Sequence, residues 1–346
     1  MANDLFRPGG RYNIRRGGGN EFTMSVPLPV DEQGMTAREC PHSDCAPGYF
    51  KVRPGTGVTE PSNARCWCPY CGSDGEKGDF TTQAQRAYAK SLVLREAHSG
   101  IQRMIKKSLG LDSRGKRRMG GDMMSIEMSL QQSPPRPVVM PYEEELRRDV
   151  TCPQCALAHA VFGIAVWCPD CGKDIFLTHV GAELDVVRKV LGEIGGRRER
   201  LGARVAARDV ENALEDIVST FEAVLKFTYK RSLISTVGED SAEKRLERLR
   251  NAFQNPRRAA EILRHELGVD FAEIMGHESQ ELLARTFQKR HPITHNLGVV
   301  DRKYLEQRGE MGDLGREVPL TAREVEEAVD LTERVLAEIY KSLFPA

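Results

Sequence analysis

Positions 290 to 295 read RHPITH, which places Arg290 and His291 just ahead of His295. An imidazole titrates near neutral pH and can take or give a proton, while a guanidinium holds phosphate through paired, charged hydrogen bonds. Together they supply what metal-independent RNA cleavage needs: a base for the 2′-OH proton, and a cation for the crowded anionic transition state. Spacing adds a constraint. Residues five apart on an ideal helix are separated by about 140° around its axis. Arg290 and His295 therefore meet only if the helix kinks or restarts at Pro292, or if two copies of the chain bring them together across a symmetric interface. The bare spacing decides little, because an Arg-x4-His match arises by chance about as often as not in such a chain. Its surroundings carry more, since Asn296, Gly298, Asp301 and Tyr304 follow in a regular cluster.

A second chemistry resides in the nine cysteines, all of which precede residue 172. In "CPQCALAHAVFGIAVWCPDCG", Cys152 and Cys155 form one Cys-x2-Cys pair and Cys168 and Cys171 another, with twelve residues between them. Two such turns supply four thiolates to tetrahedral zinc, and the residues between them suit a short hairpin turning near Gly163. The earlier block is less regular, with Cys40 and Cys45 in "ECPHSDCAPGYF" and then "CWCPYCG". The phrase "WCPYCG" at 67 to 72 repeats as "WCPDCG" at 167 to 172, which selects Cys68 and Cys71 as ligands and leaves Cys66 as a spare thiol. His42 is an alternative to Cys40 or Cys45. Two structural Zn2+ ions, one per block, are expected. Four thiolates leave no open coordination position, so catalytic zinc ranks last among the readings.

The elements that must position these groups follow from composition and periodicity. A length of 346 residues suits two or three domains. No apolar run is long enough to span a bilayer and no apolar h-region follows the N-terminal arginines, so a cytoplasmic protein without membrane contact is expected. A formal net charge of zero excludes a globally basic nucleic-acid binder and leaves only local patches. "EFTMSVPLPV" alternates Phe22, Met24, Val26, Leu28 and Val30 on one face and reads as an edge strand. Residues 81 to 107 read as a helix, "KKSLGLDSRGKRRMGGD" as an exposed loop, and the Ser/Pro cluster around Pro134, Pro135 and Pro137 as a spacer between extended segments.

Beyond about residue 181 cysteine disappears and helical periodicity takes over. Val210, Leu214, Ile217, Phe221, Val224 and Leu225 share one helix face. Thr321 and Glu324 suit a capping box ahead of the stripe Val325, Ala328, Val329, Val335, Leu336, Ile339 and Leu343. Leu246, Leu249 and Phe253 mark another helix, and Asn255-Pro256 a break or fresh start. The expected architecture is multidomain α+β. An N-terminal β/zinc-ribbon module with a helix spans 1–120, a second β/zinc-ribbon module spans 121–180, and an α-helical bundle spans 181–346.

Set in such a bundle, "RHPITHNLGVVDRKYL" at 290 to 305 resembles the signature of the HEPN family: arginine, a polar residue, three variable residues and histidine. Arg290, His291 and His295 fit that pattern position by position, with a proline directly after His291 as the departure. The resemblance covers roughly residue 181 to 346. It implies a helical homodimer with its active site at the dimer interface, and an endoribonuclease used in toxin–antitoxin or antiviral defence. It implies phosphate binding or transition-state stabilisation for Arg290, acid–base catalysis for His295, and a supporting role for His291. Asn296, Asp301 and Tyr304 receive orienting roles. RNA is then the expected partner, beside an antitoxin or other regulatory partner, with the zinc ribbons serving recognition. Some HEPN domains bind nucleotides or only dimerise. The competing reading is therefore a non-catalytic adaptor whose ribbons bind nucleic acid or protein and whose bundle dimerises. Basic stretches at Lys106, Lys107, Arg114, Lys116, Arg117 and Arg118, and at Arg197, Arg198, Arg200 and Arg204, suit contact with an RNA backbone, although such runs are more often solvated faces.

Overall fold

The computed structural model describes residues 6, 12–18, 21–57, 65–112, 114–121, 124–130, 138, 147–308 and 314–345. The Ser/Pro cluster at Pro134, Pro135 and Pro137 lies outside them. The chain is mixed α+β, with small antiparallel sheets and a helical C-terminal region. It divides into two compact units. The first comprises Met1–Arg147, Gln154–Phe162 and Trp167–Lys173, and the second Arg148–Pro153, Gly163–Val166 and Asp174–Ala346.

In the first unit, β1 (Arg15–Arg16) pairs with β2 (Phe22–Thr23). β2 is much shorter than the edge strand expected from the alternation up to Val30. Phe22, Met24 and Val26 still turn inward, packing against Tyr12, Ile14 and Leu92. Prolines at 27 and 29 lack the N–H groups a ladder needs, so the side-chain alternation outlasts the strand. β3 (Thr36–Glu39) and β4 (Tyr49–Val52) run antiparallel with Ala37 opposite Lys51. β5 (Arg65–Trp67) and β6 (Asp74–Glu76) form a hairpin whose tip carries Cys68 and Cys71. Phe50 and Phe80 meet edge to face at 6.0 Å in the core beside these cysteines.

α1 (Gln83–Ser108) starts where expected. Thr82 caps it by accepting from the Gln85 backbone at 3.0 Å, and the Gln85 side chain accepts from the Thr82 backbone at 3.1 Å. Buried Gln85 also donates to the Ala37 carbonyl at 3.0 Å, tying α1 to β3. The basic stretch after α1 is not a loop. β7 (Lys116–Gly121) and β8 (Met124–Ser129) form a six-pair hairpin, because the glycines that suggested a loop sit at its turn and ends. β9 (Arg148–Thr151) precedes β10 (Ala158–Val161). β10 pairs with β4, with Ala160 opposite Lys51, rather than folding back within its own cysteine block around Gly163.

The second unit is helical: α2 (Phe176–Gly192), α3 (Ile194–Leu201), α4 (Ala203–Val237), α5 (Glu239–Leu249), α6 (Pro256–Leu267), α7 (Phe271–Met275), α8 (His277–Gln288), α9 (Arg290–Asn296), α10 (Arg302–Arg308) and α11 (Ala322–Leu343). A 3-10 turn, Ala252–Gln254, stands between α5 and α6. The 35-residue α4 is the axis on which α2, α3, α5 and α11 pack. Val210, Leu214, Ile217, Phe221, Val224 and Leu225 are all buried on it, as their spacing requires. Phe221 meets Phe287 at 5.2 Å and Phe271 at 6.5 Å, each nearly perpendicular, which fixes α8 and α7 against α4. Asn255 begins α6 afresh, its side chain accepting from the Arg257 backbone at 3.0 Å with Pro256 just inside the helix. Among the described residues no helix is long and apolar enough to cross a membrane.

Candidate functional site

The thiols gather into two groups. The ligand atoms of Cys40, Cys45, Cys68 and Cys71 all lie within 4.8 Å of one another, as do those of Cys152, Cys155, Cys168 and Cys171. Cys40 and Cys71 approach to 3.7 Å between sulfurs, Cys45 and Cys68 to 3.6 Å, and Cys155 and Cys168 to 3.5 Å. A disulfide holds its sulfurs at about 2.05 Å, so these are free thiols set at ligand spacing. Each set is positioned to hold a metal ion. His42 is exposed and outside the first group. Burial, reinforced by the neighbouring Cys71 and Cys40 thiols, pushes Cys45 up to about 12. A metal must therefore displace protons to bind. Cys66 lies apart, buried, and burial pushes it up to about 12, which makes it a poor nucleophile.

The repeated phrase is a repeated structure. Gly72 donates to the Cys68 carbonyl and Gly172 to the Cys168 carbonyl, each at 3.0 Å. Cys68 donates to Ser73 at 2.8 Å as Cys168 does to Lys173 at 2.9 Å. The two turns also grip each other reciprocally. The Trp67 backbone donates to Pro169 at 2.9 Å, and the Trp167 backbone to Pro69 at 3.1 Å. A methyl added to Gly72 would fall 2.6 Å from the Trp167 indole nitrogen, and one added to Gly172 would fall 2.8 Å from that of Trp67. Both glycines hold positive φ, +74° and +65°, so each position needs glycine for its backbone and for the indole above it.

The helix restarts ahead of the RHPITH segment rather than at Pro292, so Arg290 and His295 stay on one short helix. α8 stops at Gln288, Lys289 bridges, and α9 begins at Arg290 with Pro292 in its first turn, where a missing N–H costs little. Lys289 is buried and donates to the Pro319 carbonyl at 2.6 Å and to Glu324 at 2.7 Å. This explains why only half of the expected capping box forms at α11. Thr321 accepts from the Glu324 backbone at 3.2 Å, but the Glu324 carboxylate turns to Lys289. α9 ends at Leu297, left-handed at φ 51°, with Gly298 donating to the Pro292 carbonyl at 2.9 Å.

Arg290, His291 and His295 line one cleft of about 340 Å3, with Asn251, Gln254 and Lys303 in its walls. His291 and His295, four apart on α9, stand with ring centroids 5.0 Å apart. Burial, followed by the charge of Lys303 and the neighbouring His295, holds His291 below the ordinary histidine range. Its neutral form is therefore more favoured than that of a free imidazole. Arg290 is fixed through Nε by Glu215 of α4 and through Nη1 by Gln254 at 3.0 Å. Glu215 also accepts from Thr294, so one carboxylate clamps both ends of the first turn of α9. Nη2 of Arg290 has no hydrogen-bond partner among the described residues and remains for an anion in the cleft.

Asn296 does not line the cleft. Its side chain donates to the Val299 carbonyl at 2.7 Å and holds the turn after α9. Asp301 accepts from the Tyr304 backbone at 2.8 Å, and Tyr304 is buried against Val300 and Val318. Both support α10 rather than the cleft. Glu215 and Gln254 carry no signal in the sequence because they are 75 and 36 residues from Arg290, whereas Lys303 lies inside the quoted 290 to 305 stretch between Asp301 and Tyr304. A charged residue beside the apolar stripe of α4 looks like any solvated position.

Compared with protein-family models, curated proteins and solved structures, the chain matches none of them.

Proposed function

We propose that the helical unit is a metal-independent endoribonuclease of HEPN type that cleaves RNA by 2′-OH attack, and that the two thiol groups hold two structural zinc ions on ribbon-like modules that serve recognition. The observation that supports the enzymatic reading is the convergence of Arg290, His291 and His295 on one cleft, with Arg290 pre-positioned by Glu215 and Gln254. A guanidinium held in advance loses no reorganisation energy as charge develops on phosphorus. His295 serves as the acid–base group and Arg290 as the phosphate ligand, with His291 in support. A homodimer through the helical unit, and a toxin or antiviral role under an antitoxin or other regulator, accompany this reading.

Sulfur spacing supports zinc. Four sulfurs at about 2.3 Å from a tetrahedral ion have edges of about 3.8 Å, close to the 3.5 to 3.7 Å separations of the thiols. The ion would draw the two cysteine turns of each block together and supply no chemistry to the cleft.

The adaptor reading is favoured by one observation. Arg290 is already ion-paired, and a paired arginine can serve packing alone. Incubating purified protein with total RNA in EDTA, beside an Arg290→Ala/His295→Ala double variant, separates the two. The enzyme reading requires cleavage by the unsubstituted chain alone, leaving 2′,3′-cyclic phosphate ends, with at least about a hundredfold loss in the variant. Equal cleavage in both removes the motif from the mechanism, and intact RNA in both favours the adaptor.

A further inference from the structure

Next to the motif cleft is a larger pocket of about 540 Å3, and the two have Asn251 in common. Arg248 from the last turn of α5, Arg250 just beyond it and Arg258 in the first turn of α6 line this pocket, with Glu261 as its one acid. All three arginines are exposed, and their guanidinium groups make no ion pair or hydrogen bond among the described residues. Nearby arginines behave otherwise: Arg245 reaches Glu266 at 3.8 Å, Arg257 pairs with Glu281 at 2.5 Å, and Arg264 reaches Asp270 at 3.9 Å. The local backbone is also unusual. Arg250 sits at φ 48° and ψ −114°, away from the helical and extended regions that a side-chained residue prefers. Such positions concentrate at ligand sites.

Mutual repulsion disfavours gathering three unpaired guanidinium groups around one concavity, and a bound anion relieves it. We propose that this pocket is a phosphate subsite for single-stranded RNA, holding a backbone phosphate adjacent to the nucleotide bound at Arg290. The choice of RNA rests on the proposed nuclease function. The shared Asn251 wall makes the two anion-binding sites continuous, as a polyanionic chain requires and a single small anion does not.

The test measures binding of a short, labelled single-stranded RNA by fluorescence anisotropy across a salt series, using the full chain with His295→Ala so that cleavage does not interfere. Replacing Arg248, Arg250 and Arg258 together by Gln is expected to weaken binding at least about tenfold and to lower the log–log salt slope by about 2. Replacing them by Lys keeps the slope. The control Arg334→Gln, an exposed arginine on α11, leaves both unchanged. Should the strained position make the triple variant misfold, the Arg248→Gln/Arg258→Gln pair still predicts a slope lowered by more than about 1.

A folded Gln variant that binds with the parent's affinity and slope overturns the subsite, as does a parent that fails to bind RNA. If the unsubstituted chain does not cleave RNA yet the slope falls as described, the nuclease reading fails and the subsite stands. If the unsubstituted chain cleaves RNA and the Gln variant binds unchanged, the subsite fails and the nuclease stands.

Discussion

Each cysteine group draws its ligand atoms from two short cysteine-bearing segments, whereas the motif cleft collects its working side chains from α4, the 3-10 turn, α9 and α10. The first kind of site is nearly complete in local sequence, because closely spaced cysteines, such as Cys68 and Cys71 or Cys168 and Cys171 on turns ending in a positive-φ glycine, bring two sulfurs to one point. The second kind is local only in its RHPITH core. Its arginine acquires an orientation from Glu215 and Gln254, residues with no motif of their own. A short motif therefore specifies which groups line the cleft, while distant helices specify their direction.

The sharpest way to break this contrast is to remove the metal. If each thiol group holds zinc as proposed, stripping it with a strong chelator, or substituting Cys68→Ser, should unfold the cysteine-bearing modules, since structural zinc supplies on the order of 10 kcal/mol. Trp67 and Trp167 are the chain's two tryptophans and both sit in the interlocked turns, so their fluorescence should shift to the red. The far-UV helical signal of the second unit should persist. Unchanged fluorescence in the metal-free protein would contradict the structural role of the thiol groups.

A smaller effect tests the reciprocity of the two turns. Gly72→Ala and Gly172→Ala each force a methyl to within 2.6 or 2.8 Å of an indole nitrogen at positive φ, and each should destabilise the unit by about 1–3 kcal/mol in thermal melts. Because both strain one interlock, the double variant should lose less than the sum. Strict additivity would mean that the turns are independent.

On the cleft side, Glu215→Gln keeps the shape but weakens the clamp on Arg290 and Thr294. RNA cleavage should fall about tenfold, the equivalent of one partly exposed charge-assisted bond. Metal content should not change. Cleavage at the parental rate would show that Arg290 needs no positioning.

The slightest effect concerns pH. His291 titrates below its ordinary value of 6.5 in the folded chain, chiefly through burial. The unfolded chain therefore takes up this proton first, and stability should decline gently as pH falls below about 6.5. In His291→Gln that part of the decline should vanish, and an unaltered profile would remove His291 as its source.

The helices were legible because burial of one face imposes a period on the sequence, as Val210 to Leu225 on α4 and Val325 to Ile339 on α11 demonstrate. The β elements were less so. A two-residue β2 carried an alternation long enough for a full strand, and a Gly- and Arg-rich stretch closed into the β7–β8 hairpin, because pairing depends on partners that a local pattern does not record. Pro292 suggested a kink or restart between Arg290 and His295, whereas the helix restarts two residues before it and carries both side chains to one cleft. Asn296 was named with them and instead secures the following turn, since residue type alone does not say which way an exposed amide points.

By itself the sequence determined the two sets of four thiols, the repeated Trp-Cys-Pro-x-Cys-Gly turn, the helical character of the C-terminal region and the arginine–histidine pairing on one short segment. These are local properties, fixed by spacing and by the period of apolar residues. Only the tertiary structure decided that β10 pairs with β4, that the two cysteine turns clasp each other through Trp67 and Trp167, that Glu215 orients Arg290, and that three unpaired arginines ring a pocket beside the cleft. Each joins residues far apart in the chain, and such contacts are selected by the burial and hydrogen-bond satisfaction of the whole fold rather than by any neighbouring residue.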